Sequence, residues 1–194
     1  FINFIENNAN DLLLFLPNIK NISFIIENKK FIFQKKILGD FVTLTSDKKN
    51  KTLNERFLLF KHKIKTGKEN NVIKLAFKVN ANNKFIKDER PNNLFTYFKL
   101  KVGTGLFFYI HAPFELDFGR TRPEDSEENE YIKRECFNAL TKCFEHFKKK
   151  KLLNSSFLEI LPNSDDETPP NSYGYFLDEI RDNIIQNFEK NDLW

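Results

Sequence analysis

Arg120 and Arg122 have the clearest chemical use in this chain, because of what stands on either side of them. Upstream lies the apolar run from Gly105 to Leu116, and Asp117-Phe118-Gly119 leads from it into the arginines. Downstream, Pro123-Glu124-Asp125-Ser126-Glu127-Glu128-Asn129 has the composition of an acidic helix start. A strand, an arginine loop and a helix in that order can aim a fixed positive charge at a phosphate. Guanidinium stays charged at any physiological pH and forks onto phosphate oxygens. Gly119, just before Arg120, permits a tight loop. The alternative use of both arginines is structural, a salt bridge to the acids at 124–130.

No other residues offer comparable chemistry. His111 falls inside the apolar run and is expected to be a hydrogen-bonded structural histidine, while His62 and His146 lie among lysines and are expected at the surface. No two histidines have metal-ligand spacing, so no metal site is expected. Cys136 and Cys143 on one helix would place their Cα atoms roughly 10 Å apart, too far for a disulfide; they are expected to be reduced core thiols. Glu124, Asp125, Glu127, Glu128 and Glu130 are read as a solvated helix start, and Lys148 to Lys151 as a wet helix end. Gly103-Thr104-Gly105 precedes a strand and is a turn, not a phosphate cradle.

The elements that must position the arginines can be read from pattern. Of 194 residues 40 % are hydrophobic and 30 % charged, and Phe, with 23 copies, dominates the prospective core. The net charge of +4 is too small to argue for a nucleic-acid or membrane partner. No run approaches the ~18 apolar residues of a membrane span, and no signal peptide opens the chain, so a soluble cytoplasmic protein is expected. The chain has no Met and starts at Phe1, which is read as a piece of something longer.

Asn10 or Asp11 is placed to cap a helical turn over 12–16, ended by Pro17. Hairpins are expected from 22–26 with 31–33, and from 41–45 with 57–64. Ile73, Leu75, Phe77 and Val79 alternate with Val72, Lys74, Ala76 and Lys78, which predicts a half-buried strand with one wet face. Residues 94–100 form a further segment, and 106–116 the longest strand, with Leu106, Phe108, Ile110, Ala112, Phe114 and Leu116 on its apolar face. Helices follow: Asp125 and Glu128 read as a capping box, and Ile132, Cys136, Ala139, Leu140, Cys143, Phe144 and Phe147 as a helical stripe. Residues 162–172 read as a surface loop, and a last helix carries Phe176, Leu177, Ile180, Ile184, Ile185 and Phe188. The fold class is therefore α+β, a mainly antiparallel sheet in the N-terminal two-thirds packed by C-terminal helices. One domain is expected over 1–150, with the loop and helix of 151–194 packed on it or starting the next segment.

Laid out in this way, the chain resembles the sacsin-like group of ATPases with a heat-shock-ninety-type (GHKL) nucleotide-binding domain, and within them the segment directly after that domain. Leu12-Leu13-Leu14-Phe15-Leu16-Pro17-Asn18-Ile19-Lys20-Asn21-Ile22 is similar to the helix-then-strand opening of that segment. Leu94-Phe95-Thr96-Tyr97-Phe98 followed by Thr104-Gly105-Leu106 resembles its "aromatic-aromatic-Pro … Thr-Gly-Leu-Pro" stretch, with Lys99 and Phe107 where the family usually has Pro. The specific match is Ile110-His111-Ala112-Pro113-Phe114-Glu115-Leu116 with Arg120 and Asn129, similar to its "hydrophobic-His-Ala/Gly-Pro-Phe … Arg … Asn".

The resemblance implies a middle or transducer unit in which Arg120, with Arg122 as the alternate, reaches the γ-phosphate of ATP. ATP and Mg would be bound by an upstream domain of the same polypeptide, with a homodimer compatible and no membrane contact. The alternative is a non-catalytic module that binds protein or nucleic acid. The chain itself has no Asp-x-Gly-x-Gly and only six glycines, so it cannot build that ATP pocket alone and is not expected to be an enzyme in isolation. Calorimetry on the isolated chain should accordingly detect no micromolar affinity for ATP, and a phosphate-release assay no turnover.

Overall fold

A computed structural model describes residues 10–26, 29–48, 51–67 and 69–161. Helix α1 covers residues 10–15. The strands are β1 (Asn21–Ile26), β2 (Lys29–Leu38), β3 (Phe41–Lys48), β4 (Lys51–Thr66), β5 (Glu69–Val79), β6 (Asn93–Thr96), β7 (Phe98–Gly103) and β8 (Tyr109–His111), followed by helices α2 (Glu127–Lys149) and α3 (Ser155–Glu159). All eight strands join one sheet in the order β1-β2-β3-β4-β5-β8-β6-β7. Every pairing is antiparallel except that of β6 with β8. This is the α+β fold read from the pattern, with the mostly antiparallel sheet first and the long helix after it. The last expected helix and the loop at 162–172 lie outside the described residues.

Strand β5 explains why the sheet is covered where it is. Its odd positions Ile73, Leu75, Phe77 and Val79 join one core with Leu58, Phe108, Ile110 and the α2 stripe of Ile132, Cys136, Leu140, Phe144 and Phe147. Phe77 anchors that core: Phe108 stacks on it at 4.9 Å between ring centres and Phe147 meets it edge-on at 5.4 Å. Offset and edge-to-face pairs of this kind add about 0.5–1.5 kcal/mol each beyond the area they bury. Helix α3 completes this side with Phe157, and Ile160 follows it into the same core.

The opposite face of β5 is buried at Lys74 and Ala76 and half-buried at Val72 and Lys78, contrary to the wet face expected of it. Leu13, Leu14 and Phe15 of α1 pack there on Phe31, Phe33, Val42, Leu44, Phe57 and Ala76, and Lys74 is only 8 % exposed. The lysine is tolerated because Nζ donates to the Phe15 carbonyl at 2.6 Å. From β2, Lys35 Nζ donates to the carbonyl of Leu13 at 2.8 Å and to that of Leu16. The last carbonyls of a helix have no partner within it and carry the negative end of its dipole. Two ammonium groups therefore close α1 from below while their stems cover apolar surface. Burial, with Lys61 and Lys35 nearby, lowers the Lys74 pKa to about 8.

The amino end of α1 stands over the complementary charge. Asn10 Nδ2 donates to Glu55 at 2.8 Å, Lys78 bridges Glu55 and Asp88 at 3.0 and 3.3 Å, and Tyr109 donates to Asp88 at 3.4 Å. Asp11 lies 3.9 Å from Lys99. Burial still raises its pKa to about 6, with Glu55 and Asp88 adding to the effect and Lys99 opposing it.

Three further expectations are corrected. The segment at 94–100 is a hairpin folded at Tyr97, which sits at φ 59 between β6 and β7. The run 106–116 is a strand only over Tyr109–His111, because Gly105 turns the chain at φ 70 before it and Pro113 has no donor to continue a ladder. Its apolar face is nonetheless buried as read, with Leu106, Phe108 and Ile110 at 0 % exposure. The cap of α2 is Ser126, extended at φ −137, whose side chain accepts from the Asn129 backbone N–H, rather than Asp125 with Glu128.

Because the folded pKa of Asp11 lies above its unfolded value, its contribution to stability is complete below pH ~4 and is lost as pH rises through ~6. Asp11→Asn should thus stabilise the chain at pH 7.5 by about 1–3 kcal/mol, with the gain vanishing near pH 4. Guanidinium unfolding at the two pH values measures both.

Candidate functional site

The chain leaves the sheet after His111 and reaches α2 through a braced hairpin. At its base Leu116 pairs with Pro123, and Glu124 N–H donates to the Glu115 carbonyl at 3.0 Å. Asn129, on the first turn of α2 and only 2 % exposed, holds both stems. Its Oδ1 accepts from Glu115 N–H at 2.9 Å, and its Nδ2 donates to the carbonyls of Glu115 and Glu124 at 2.8 and 2.7 Å. One amide thus satisfies three backbone groups, and it is fixed because Ser126 caps the same turn. Ser126 also donates to the Glu115 carboxylate at 3.0 Å.

Above this base, Asp117 organises the tip. Its carboxylate accepts from the Thr121 N–H at 2.7 Å, the Thr121 hydroxyl at 3.0 Å and the Arg122 N–H at 3.3 Å. The Thr121 backbone bond leads the effects that hold this carboxyl below its ordinary pKa. Asp117 N–H donates to the Arg122 carbonyl at 3.0 Å, and Arg120 N–H to the Asp117 carbonyl at 2.8 Å. A bond from Lys101 N–H to the Thr121 carbonyl at 3.2 Å ties the tip to β7, the last strand of the sheet.

The two arginines behave differently on this tip. Arg122 lies 3.9 Å from Asp117 with its side chain 70 % exposed. Arg120 is exposed, and no described residue pairs with its guanidinium. Neither forms the expected alternative salt bridge to the acids at 124–130 among the described residues. The turn is also made by a different residue from the one expected: Arg120 itself is left-handed at φ 52, and Gly119 is not. A Cβ on Gly119 would meet only ordinary contacts, at 3.7 Å from Thr121. Phe118 beside it is fully exposed, at 105 % of its reference area. Chemically the tip offers an exposed cation on a braced backbone, and an apolar ring, to something outside the domain.

The other candidates have structural surroundings. His111 is buried as a structural residue, but neither ring nitrogen has a hydrogen-bond partner among the described residues. It stacks on Phe15 at 5.2 Å and meets Tyr97 at 4.9 Å; burial, with Lys74 adding, lowers its pKa to about 3. His62 and His146 are not free surface residues. His62 is buried and lies 2.8 Å from Glu135, and His146 is half-buried 3.0 Å from Asp40. Cys136 and Cys143 are free and buried, and burial pushes both thiols up. Asp125, Ser126, Glu127, Glu128, Glu130 and Arg134 line a shallow open cleft at the start of α2. Among the described residues no three His, Cys, Asp or Glu are placed to hold a metal ion, and no helix is long and apolar enough to cross a membrane.

Sequence reasoning named Arg120, Arg122 and Asn129 but missed two residues of the tip. Asp117 had a signal, since Asp before a turn bonds to the backbone beyond it. Phe118 had none, because exposure of a single Phe is decided by where the loop stands.

No protein-family model, no curated protein and no solved structure matches the chain.

Asn129→Ala would leave the Glu115 N–H and the Glu124 carbonyl without their partner, while the Glu115 carbonyl keeps the Glu124 N–H. Each buried group left unsatisfied costs about 1–3 kcal/mol, and some will recover water, so a loss of about 2–4 kcal/mol is expected in chemical denaturation. The hairpin amides should lose hydrogen-exchange protection first.

Proposed function

We propose that the chain is the middle, or transducer, unit of a cytoplasmic heat-shock-ninety-type, sacsin-like ATPase. Arg120 then completes a site whose ATP and Mg are held by a separate upstream domain of the same polypeptide. The observation that carries the reading is the state of Arg120. A non-glycine residue in the left-handed region costs about 1–2 kcal/mol, and no side-chain contact among the described residues offsets that cost at Arg120. Such strain persists only where the surrounding structure holds it, here through the Asp117 bonds to Arg120, Thr121 and Arg122, and it clusters at working sites. The backbone that carries this cation stands on a hairpin fixed at both stems by Asn129, so the position from which the side chain reaches a partner is set. Charge that spreads over phosphate oxygens in phosphoryl transfer is stabilised by such a preplaced guanidinium. Supplying it from another domain makes hydrolysis wait for docking, which couples chemistry to conformation. Arg122 is the alternate, although Asp117 partly engages it.

In the polypeptide carrying both domains, Arg120→Ala should lower kcat by on the order of 10²–10³, as for a lost oxyanion donor, with little change in nucleotide affinity. Arg120→Gly should lose the same rate, yet be as stable as the parent or up to about 1 kcal/mol more so, since glycine takes positive φ without strain. Normal ATP turnover in either variant defeats the reading. A non-catalytic docking role would leave kcat untouched while weakening association.

A further inference from the structure

We infer that β1 joins two copies of this chain, paired antiparallel about a two-fold axis that passes through Phe24. The inference is independent of the arginine loop and rests on the contrast between the two ends of the sheet. At one end, β7 carries Lys99 and Lys101, and its Lys101 N–H is bonded by the Thr121 carbonyl. Charged side chains and a covering loop are the usual protection of a sheet edge. At the other end, β1 has the sequence Asn21-Ile22-Ser23-Phe24-Ile25-Ile26. It has no charge, no Pro and no Gly, and it pairs with β2 in unbroken register from Asn21 to Ile26. Among the described residues no strand lies on its outer side. A neutral, apolar edge without Pro or bulge is a template for another strand.

The core also runs out to this edge unfinished. Ile22, Phe24 and Ile26 face the α1 side and are only partly buried against that core, with Phe24 edge-on to Phe33 at 6.2 Å. On the opposite face Ile25 is 74 % exposed.

The occupant follows from the strand's own symmetry. Residues directly opposite in an antiparallel pair share a face, so a two-fold axis normal to the sheet pairs positions of equal parity. Centring on Phe24 sets Ile22 against Ile26, Phe24 against its copy and Ser23 against Ile25. All three core-facing residues of each strand then meet their counterparts, and no charge is buried. Centring on Ser23 would set Lys20 against Ile26, and centring on Ile25 would leave Ile22 without a partner in β1. The two eight-stranded sheets become one continuous sheet through an isologous contact.

Sedimentation equilibrium on the full chain at tens of micromolar should give twice the monomer mass of 23.1 kDa. Under mild oxidation Phe24→Cys should form an intermolecular disulfide, because facing Cα atoms lie about 4.5–5.5 Å apart, inside the disulfide range. Ile22→Cys should not, since its copy would be displaced by four residues, about 13 Å. The native cysteines are buried and do not compete. Should Phe24→Cys fold poorly, Ser23→Cys mixed with Ile25→Cys keeps the test, as both positions are exposed. That mixture should crosslink faster than either variant alone. A monomer throughout this range overturns the proposal. So does a dimer in which Ile22→Cys crosslinks as readily as Phe24→Cys, or in which the mixed pair gains nothing over its parts.

Discussion

The ammonium groups of Lys35 and Lys74 against the carbonyl end of α1 are the contact on which this architecture turns. Taking a cation out of water costs several kcal/mol unless it finds oxygen partners. The unpaired carbonyls of a helix end are such partners, and the helix dipole adds attraction. Once the lysines are satisfied, Leu13, Leu14 and Phe15 can lie flat on the sheet, and fully burying such side chains contributes about 1.5–3 kcal/mol each. The middle of the sheet is then buried on both faces. Carboxylates under the other end of α1 match its positive pole, so the charge pattern on the strands also sets the direction in which the helix lies.

A sheet packed on both faces makes a stiff base for what emerges from it. Strand β8 sits between β5 and β6, so the chain leaves for the hairpin from deep in the sheet. Helix α2 is fixed over the neighbouring strands by the Phe77 ring cluster and by two histidine–carboxylate contacts. Burial pushes the carboxyls of Asp40 and Glu135 up, but hydrogen bonds from Lys150 and His146 to Asp40, and from His62 and Asn138 to Glu135, outweigh it and hold both low. The first turn of α2 therefore has a defined place, and Asn129 transfers that place to the hairpin stems. The position of Arg120 is set by a chain of packed and bonded groups, not by loop propensity.

Much of this was determined locally. The alternation of Ile73, Leu75, Phe77 and Val79 marked one core face of β5, and the stripe from Ile132 to Phe147 marked the helix that covers it, because period 2 and period 3.6 are properties of the backbone itself. The strand–loop–helix order around Arg120 was legible for the same reason, as was the isolation of the two cysteines along one helix.

What the sequence could not decide were the matters that depend on a distant partner. Lys74 and Ala76 read as a wet face because nothing near them in sequence announces α1, which lies some sixty residues away. The run 106–116 read as a long strand because its residues are apolar, yet a strand lasts only as long as its neighbours offer backbone groups to pair with. Gly119 looked like the turn residue, but the Asp117 network placed the left-handed residue at Arg120. The sequence by itself determined the periodicity of each element and the residues able to carry charge. Tertiary structure alone decided which faces are dry, where the strand stops and which arginine lies closer to Asp117, since burial, pairing and strain are relations between segments that no single segment contains.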